Sequence, residues 1–201
     1  MKIICIGRNY VAHAHELNNE VPSEPMVFMK PSTALNTSSE LSIPAFTKNL
    51  HYELELVLQV GKEASSVEES QALDYIDAIG LGIDFTARDI QDKCKAKGHP
   101  WEKAKAFDNS ASLSELRAIE GFKNKNIHFQ LFKNKELAQD GRSDLMIFPF
   151  EKIISYCSSF FTLQKGDLIY TGTPAGVGPV GHGDVLEAYL EGELLLNVKI
   201  N

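Results

Sequence analysis

The sequence predicts an α+β domain, mainly β and built around mixed sheet, on three observations. Short apolar runs of strand composition outnumber segments with helical spacing. The two kinds do not alternate as a βαβ chain would. No repeat, low-complexity tract or linker divides the chain. With 201 residues, 43% of them hydrophobic, the chain can bury a core of its own, and residues 1–201 are expected to form one domain.

The elements follow in order. "KIICI" is a short buried strand ended by Gly7, and "NYVAHAHEL" a brief helix. "NNEVPSEP" is a proline-containing loop leading into the strand "MVFMKP". "LHYELELVLQV", Leu50 to Val60, reads as one buried strand. "VEESQALDYIDAI" has helical spacing and "GLGID" is a short strand after it. "TARDIQDKCKAKG" is a second helix, with Thr86 and Asp89 as a capping box and Gly98 as its stop. "IHFQLFKNKELAQ" is a hairpin around Asn134 and "VLEAYLEGELLLNVKI" one around Gly192, with the amphipathic helix "PFEKIISYCSSFF" between them.

Composition excludes several functions. A net charge of −7 and a pI near 5.4, with no basic run, argue against a nucleic-acid-binding surface. No apolar stretch approaches the roughly 20 residues that span a bilayer, and "MKIICIGRNY" lacks the pattern of a secretory signal. Cys5, Cys94 and Cys157 are odd in number and widely spaced, so they read as buried reduced thiols in a cytoplasmic protein. "GVGPVG", Gly176 to Gly181, satisfies G-x-G-x-x-G, but Pro179, a following strand and the missing helix make it a tight turn between strands and no dinucleotide fingerprint. His15, His51, His99, His128 and His182 join no constellation, and Trp101 reads as packing under the Lys105 loop.

Glu53 and Glu55 pose the functional question. Two apart on a strand, they point to one face while Leu54, Leu56 and Leu58 point to the other. Burying two unpaired carboxylates side by side is costly, since each loses hydration and repels its neighbour. An isolated E-x-E fits a solvated edge strand as well. However, the apolar run "LELVLQV" suits a central strand better, and a third acid, Asp84, ends "GLGID" just before a helix already capped by Thr86. Three carboxylates with no His or Cys among them form a hard-oxygen site suited to Mg²⁺ or Mn²⁺.

Seven blocks in order over nearly the whole chain then carry a resemblance: "GRNYVAH", "FMKPS", "HYELELVLQVGK", "GIDFTARDIQ", "KGHPWEKAKAFD", "ISYCSSFFTLQKGDLIYTGTPAGVGP" and the closing "GD" strand. Together they resemble the fumarylacetoacetate hydrolase family, in particular its small members that act as acylpyruvate hydrolases and oxaloacetate decarboxylases. The resemblance implies a mixed β-sheet roll of the family's C-terminal domain type, a homodimer, and Glu53, Glu55 and Asp84 as ligands of one divalent ion. It also implies that His13 and Glu16, at i and i+3 on one helix face, form a carboxylate-oriented general base on a segment that orders as a lid over substrate.

Lys105 matches a family lysine placed near the bound oxo acid. Arg88 and Gln91, one turn apart on a helix, are candidates to bind the substrate carboxylate or orient water, and Thr173 to contact substrate by its hydroxyl or N–H. Lys30 and Arg8 are further substrate-binding candidates, with a surface ion pair the alternative for each. The expected reaction is cleavage of the C–C bond of an acylpyruvate through a pyruvate enolate. Oxaloacetate decarboxylation is a second activity, because loss of CO₂ leaves the same enolate. An isomerase or tautomerase of 2-oxo diacids is the alternative, since proton transfer alone needs no activated water; a non-catalytic oxo-acid-binding protein is the third reading.

Overall fold

The computed structural model describes residues 1–17 and 19–201. Asn18, the first position of the predicted "NNEVPSEP" loop and the end of the predicted lid, lies outside the described residues. The first half of the chain runs β1 (Ile3–Gly7), α1 (Val11–Glu16), β2 (Met26–Lys30), β3 (Leu35–Asn36), β4 (Glu40–Leu41), β5 (Leu50–Tyr52), β6 (Leu54–Val60) and β7 (Ile76–Asp84). It continues as β8 (Thr86–Ala87), α2 (Arg88–Lys97), α3 (Glu102–Lys105), β9 (Ala111–Leu113) and β10 (Arg117–Ala118). The last part is β11 (His128–Lys133), β12 (Glu136–Arg142), α4 (Phe150–Phe160), β13 (Leu168–Tyr170), β14 (Gly178–Pro179), β15 (Val185–Leu190) and β16 (Glu193–Ile200).

An eight-stranded sheet in the order β2-β1-β13-β6-β7-β9-β3, with β10 also on β7, curls around the core. It is mixed: β1 and β13 run parallel, while β6 pairs antiparallel with both β13 and β7. A five-stranded sheet, β12-β11-β15-β16-β4, packs its inner face on β6 and β7. Leu54, Leu56, Leu58, Ile79, Leu81 and Ile83 share one buried cluster with Phe129, Leu131, Leu186, Ala188 and Val198 from that second sheet. A small third sheet, β14-β5-β8, closes one end. The mainly β, mixed-sheet expectation therefore holds.

Both predicted hairpins form, each with two residues of positive φ at the turn: Asn134 (53°) and Lys135 (72°), then Glu191 (51°) and Gly192 (83°). Such turns match the right-handed twist of the flanking strands. Helix α4 buries Ile153, Ile154, Cys157 and Ser158 on its core face, as its periodicity predicts, and Gly98 ends α2 in the left-handed region. The three cysteines are buried and free.

Three local expectations are corrected. The segment Leu50–Val60 is two strands, broken at Glu53, with β5 in the small sheet and β6 in the large one. "VEESQALDYIDAI" forms only a 3-10 segment over Glu69–Tyr75, because from Ile76 onward the chain pairs with β6 along its whole length. Tertiary pairing here overrides a helical spacing. Thr86 does not cap α2: it pairs with His51 in the small sheet, Ala87 occupies the N-cap position, and Asp89 instead accepts hydrogen bonds from Thr47 Oγ1 and Lys48 N.

Candidate active site

The β6–β7 ladder brings the acids together. Leu54 faces Ile83 and Glu55 faces Gly82, and the Asp84 N–H donates to the Glu53 carbonyl at 2.8 Å, so Glu53 lies across from Asp84 where the strands end. The ladder needs Gly82: a Cβ there would lie 2.4 Å from Tyr170 Cε1 and 2.7 Å from Val57 Cγ2. Carboxylate oxygens of Glu53, Glu55 and Asp84 converge within 4.8 Å of one another, and all three residues are buried. The break at Glu53 turns its side chain into this cluster although β5 and β6 belong to different sheets.

Three cations answer the three acids unevenly. Lys105, at the end of α3, donates from Nζ to Glu53 Oε2 at 2.6 Å and to Asp84 Oδ2 at 2.7 Å. Arg88, in the first turn of α2, donates to Glu53 Oε1 through one nitrogen and to Gln91 Oε1 (2.6 Å) through the other. Lys30, fully buried at the end of β2, lies 2.7 Å from Asp84 Oδ1 and donates to the carbonyls of Lys105 and Ser110 and to Ser110 Oγ. Burial works to raise the Glu53 pKa, but Lys105 and Arg88 prevail and hold it well below the usual carboxylate range. Burial likewise works against the Lys105 ammonium, and Asp84 and Glu53 keep it charged.

Glu55 differs from its neighbours. Its one hydrogen bond among the described residues is from the Gly172 N–H at 2.8 Å, and no cation pairs with it. Burial, then the neighbouring Asp84 charge, pushes its carboxyl well above the ordinary value despite that bond. Asp84 Oδ1 also lacks an aligned hydrogen-bond donor. A buried all-oxygen set containing one acid without a counter-charge fits a divalent cation of the Mg²⁺ or Mn²⁺ kind. Glu53, Glu55 and Asp84 would hold it.

Over this floor lies α1. His13 is buried against the cavity and its Nδ1 sits 3.3 Å from Glu16 Oε2. Burial lowers the His13 pKa, with Glu53 and Glu16 opposing, so the imidazole is neutral at pH 7. The other Glu16 oxygen accepts the Gly176 N–H at 3.0 Å. Arg8, Gln91 and Thr173 line the cavity, and Lys30 does not; its ammonium is spent beneath Asp84. The free space is about 30 Å³, room for a water or two.

Several lining residues escaped the sequence reading. Met26 and Phe28 face the cavity from a strand that reads as plain core, and the Lys105 ammonium lies 5.3 Å from the Phe28 ring centroid. Trp101, expected as packing, borders the cavity as well, with the Lys95 ammonium 5.7 Å from its ring. Residue type alone carried no signal for these. His51 bonds Asn49, and burial with the Arg88 charge pushes it down to about 4.

Residues 2–199 match the family described as fumarylacetoacetate (FAA) hydrolase C-terminal. The chain belongs to this family. It is 45% identical over 200 residues to the mitochondrial oxaloacetate tautomerase of Bos taurus, covering 98% of this chain and 90% of that one. Among solved structures it is similar to a fumarylacetoacetate isomerase/hydrolase family structure from Oleispira antarctica, with a TM-score of 0.95 at 43% identity, covering 100% of this chain and 93% of the other. Fumarylpyruvate hydrolase from Pseudomonas aeruginosa, solved with Mn²⁺ and pyruvate, superimposes with a TM-score of 0.94 at 35% identity, over 100% of this chain and 89% of that one. The family is one of enzymes. No helix among the described residues is long and apolar enough to cross a membrane.

Proposed function

We propose that this enzyme is a divalent-metal-dependent tautomerase of a small 2-oxo dicarboxylic acid, oxaloacetate first, interconverting its keto and enol forms. The observation that carries the reading is Lys105 Nζ fixed between Glu53 and Asp84 at the floor of a cavity whose roof is the buried His13, paired with Glu16. A Mg²⁺ or Mn²⁺ ion held by Glu53, Glu55 and Asp84 would supply a Lewis acid toward the 2-oxo group. The chain does the rest. Lys105 donates a hydrogen bond to the oxygen on which enolate charge collects. His13 Nε2 takes a proton from the carbon between the oxo group and the distal carboxylate while the Lys105 ammonium gives one to the 2-oxo oxygen, forming the enol. Solvent then takes the proton from His13 and returns one to Lys105, and the reverse steps regenerate the keto form. Glu16 holds the imidazole through Nδ1. Arg88, oriented by Gln91, and Arg8 take the substrate carboxylates, and Thr173 supplies a neutral contact.

The likeness to an oxaloacetate tautomerase at 45% identity supports placing proton transfer ahead of C–C cleavage. One observation favours a second reading, hydrolysis of acylpyruvates: the His13–Glu16 pair at 3.3 Å is equally a base for water, and the similar Pseudomonas protein is named a fumarylpyruvate hydrolase. The enzyme works in our reading as a homodimer in a reducing compartment, the cytoplasm, in keeping with three buried free thiols. A substrate panel decides between the reactions. Oxaloacetate enol, oxaloacetate keto form and a series of acylpyruvates are assayed with Mg²⁺ and with Mn²⁺, following the enol absorbance and released pyruvate separately. Loss of enol without pyruvate is expected. Pyruvate from oxaloacetate would make the enzyme a decarboxylase, and pyruvate from acylpyruvates alone would make it a hydrolase.

A further inference from the structure

Gln139 is an almost fully buried polar residue on β12, outside the cavity, and nothing in the chemistry above uses it. Its amide is fully engaged. Oε1 accepts the Leu54 N–H at 2.9 Å, and Nε2 donates to Thr173 Oγ1 at 2.8 Å and to the Pro174 carbonyl at 2.9 Å. The Leu54 N–H is the backbone donor next to the break at Glu53, where the chain passes between sheets. Thr173 and Pro174 belong to the loop that lines the cavity and leads to Gly176, the donor to Glu16.

The turn of Gln139 toward the site has a local cause. Leu131 pairs with Gln139 but Phe132 pairs with Leu137, so Ala138 is an extra residue in β12. Such a bulge re-aims the neighbouring side chain. The loop sits directly on this bulge: Gly176, at φ 98°, comes so close that a Cβ would lie 2.1 Å from the Ala138 carbonyl oxygen. Thus Ala138 sets the height of the loop and Gln139 ties it laterally. The "GVGPVG" segment is not a tight turn, since Gly178–Pro179 forms β14 against β5, and the N–H of its first glycine is the contact to Glu16.

We propose that Gln139 is a positioning residue that couples the floor of the site to its lid, fixing the strand break at Glu53 and the Thr173–Gly176 loop in one frame so that Gly176 meets Glu16. Gln139 touches neither substrate nor metal. The inference rests on the roles given above to Glu16 and Thr173.

The test compares Q139E with Q139M. The glutamate keeps an acceptor for the Leu54 N–H but meets the Pro174 carbonyl with like charge; the methionine has similar length and neither function. Amide hydrogen exchange is followed over residues 11–17, 54–56, 78–83 and 172–177, with kcat and KM for oxaloacetate and calorimetric titration of Mn²⁺. In Q139E, exchange over 172–177 and 11–17 should accelerate about tenfold, the effect of losing a hydrogen bond or two, with 54–56 and 78–83 unchanged. KM should rise more than kcat falls, and Mn²⁺ affinity should stay within about twofold. In Q139M, residues 54–56 should loosen as well. Should Q139M not fold, Q139E alone decides. Exchange over 11–17 within twofold of the parent, or acceleration spread evenly over 78–83, overturns the proposal, because Gln139 would then be only a packing residue. A parent that does not turn over oxaloacetate would overturn the function proposed above and leave the exchange result to judge Gln139 separately.

Discussion

Glu55 and Asp84 reach the cavity from β6 and β7, adjoining strands almost wholly buried through the middle of the large sheet, and Glu53 from the break just before β6. His13 reaches the same cavity from a six-residue helix whose outer side carries Val11, 45% exposed, and the exposed Ala12 and His15. A helix of that length is not stable by itself. Among the described residues, the contacts that place it include the buried Asn9 amide bonded to Phe148 and to the Thr171 carbonyl, Tyr10 bridged to Met146 and edge-on to Phe129, the buried Ala14, and Glu16 on Gly176. The acids are thus placed by register and packing, which one substitution cannot shift without cost to the whole domain. His13, the proposed base, is placed by a short helix held largely at its two ends. A cavity of about 30 Å³ that is to admit the proposed substrate needs that difference.

The largest effect should come from the floor. Asp84→Ala removes a proposed ligand, strands Lys30 as a buried cation and leaves Lys105 with Glu53 alone, so Mn²⁺ binding and activity should vanish together. Folding stability should fall by about 3–5 kcal/mol, the usual result of breaking a buried pair. Calorimetric titration and urea unfolding measure both. Parent-like Mn²⁺ affinity would place the ion elsewhere.

The lid variant should separate function from stability. His13→Ala should slow oxaloacetate tautomerisation by about 10² to 10⁴-fold. Mn²⁺ affinity should be retained and stability should fall by no more than about 1 kcal/mol. If unfolding of His13→Ala resembles that of Asp84→Ala, the division into rigid floor and light lid is wrong.

Oxalate sharpens the comparison by loading both parts. A planar dianion resembling the enolate of a 2-oxo acid should compete with substrate and bind more tightly than pyruvate, and only with the divalent ion present. It should also slow amide exchange over residues 10–17, because the lid is held best over a filled site. Inhibition kinetics repeated in Lys105→Met should show oxalate weakened more than Mn²⁺. Equal weakening would assign Lys105 to the floor alone.

The smallest effect concerns the far edge of the floor. Burial alone would raise the Asp167 pKa, but Lys2, through its ammonium and its N–H, and the Gln164 N–H prevail and hold it below the ordinary value. A depressed carboxylate stabilises the fold above its unfolded pKa and loses that contribution as pH falls through the folded one. Thermal unfolding of the parent should therefore exceed that of Asp167→Asn near neutral pH, and the gap should close below about pH 4. Hydrogen exchange in the lid should not follow it.

Much of the floor was legible in the sequence, and the reasons are physical. Two glutamates in an apolar run and an aspartate ending another pose a burial problem with few solutions, and the ladder between the two runs makes the solution geometric. Lys105 was legible only through resemblance, because a lysine in a short polar helix has no spacing that marks it, whereas Arg88 stood out by its place one turn from Gln91 on the helix after Asp84. Lys30 and Gln139 show the opposite limit. Lys30 ends an ordinary strand and Gln139 lies in an ordinary hairpin, and their importance arises where distant segments meet. The strand break at Glu53 was hidden because both halves have strand composition; pairing with two different sheets separates them. The helical spacing of Val67–Ile79 misled for the same reason.

Trp101 is the chain's one tryptophan, and it stands at the rim of the cavity with the Lys95 ammonium near its ring. All indole fluorescence of the protein therefore originates at the site. A cation beside an indole shifts its emission, and an arriving dianion changes the field that both groups feel. Ligand entry can accordingly be timed by stopped-flow in the unlabelled enzyme, with excitation selective for indole and no second indole to add background.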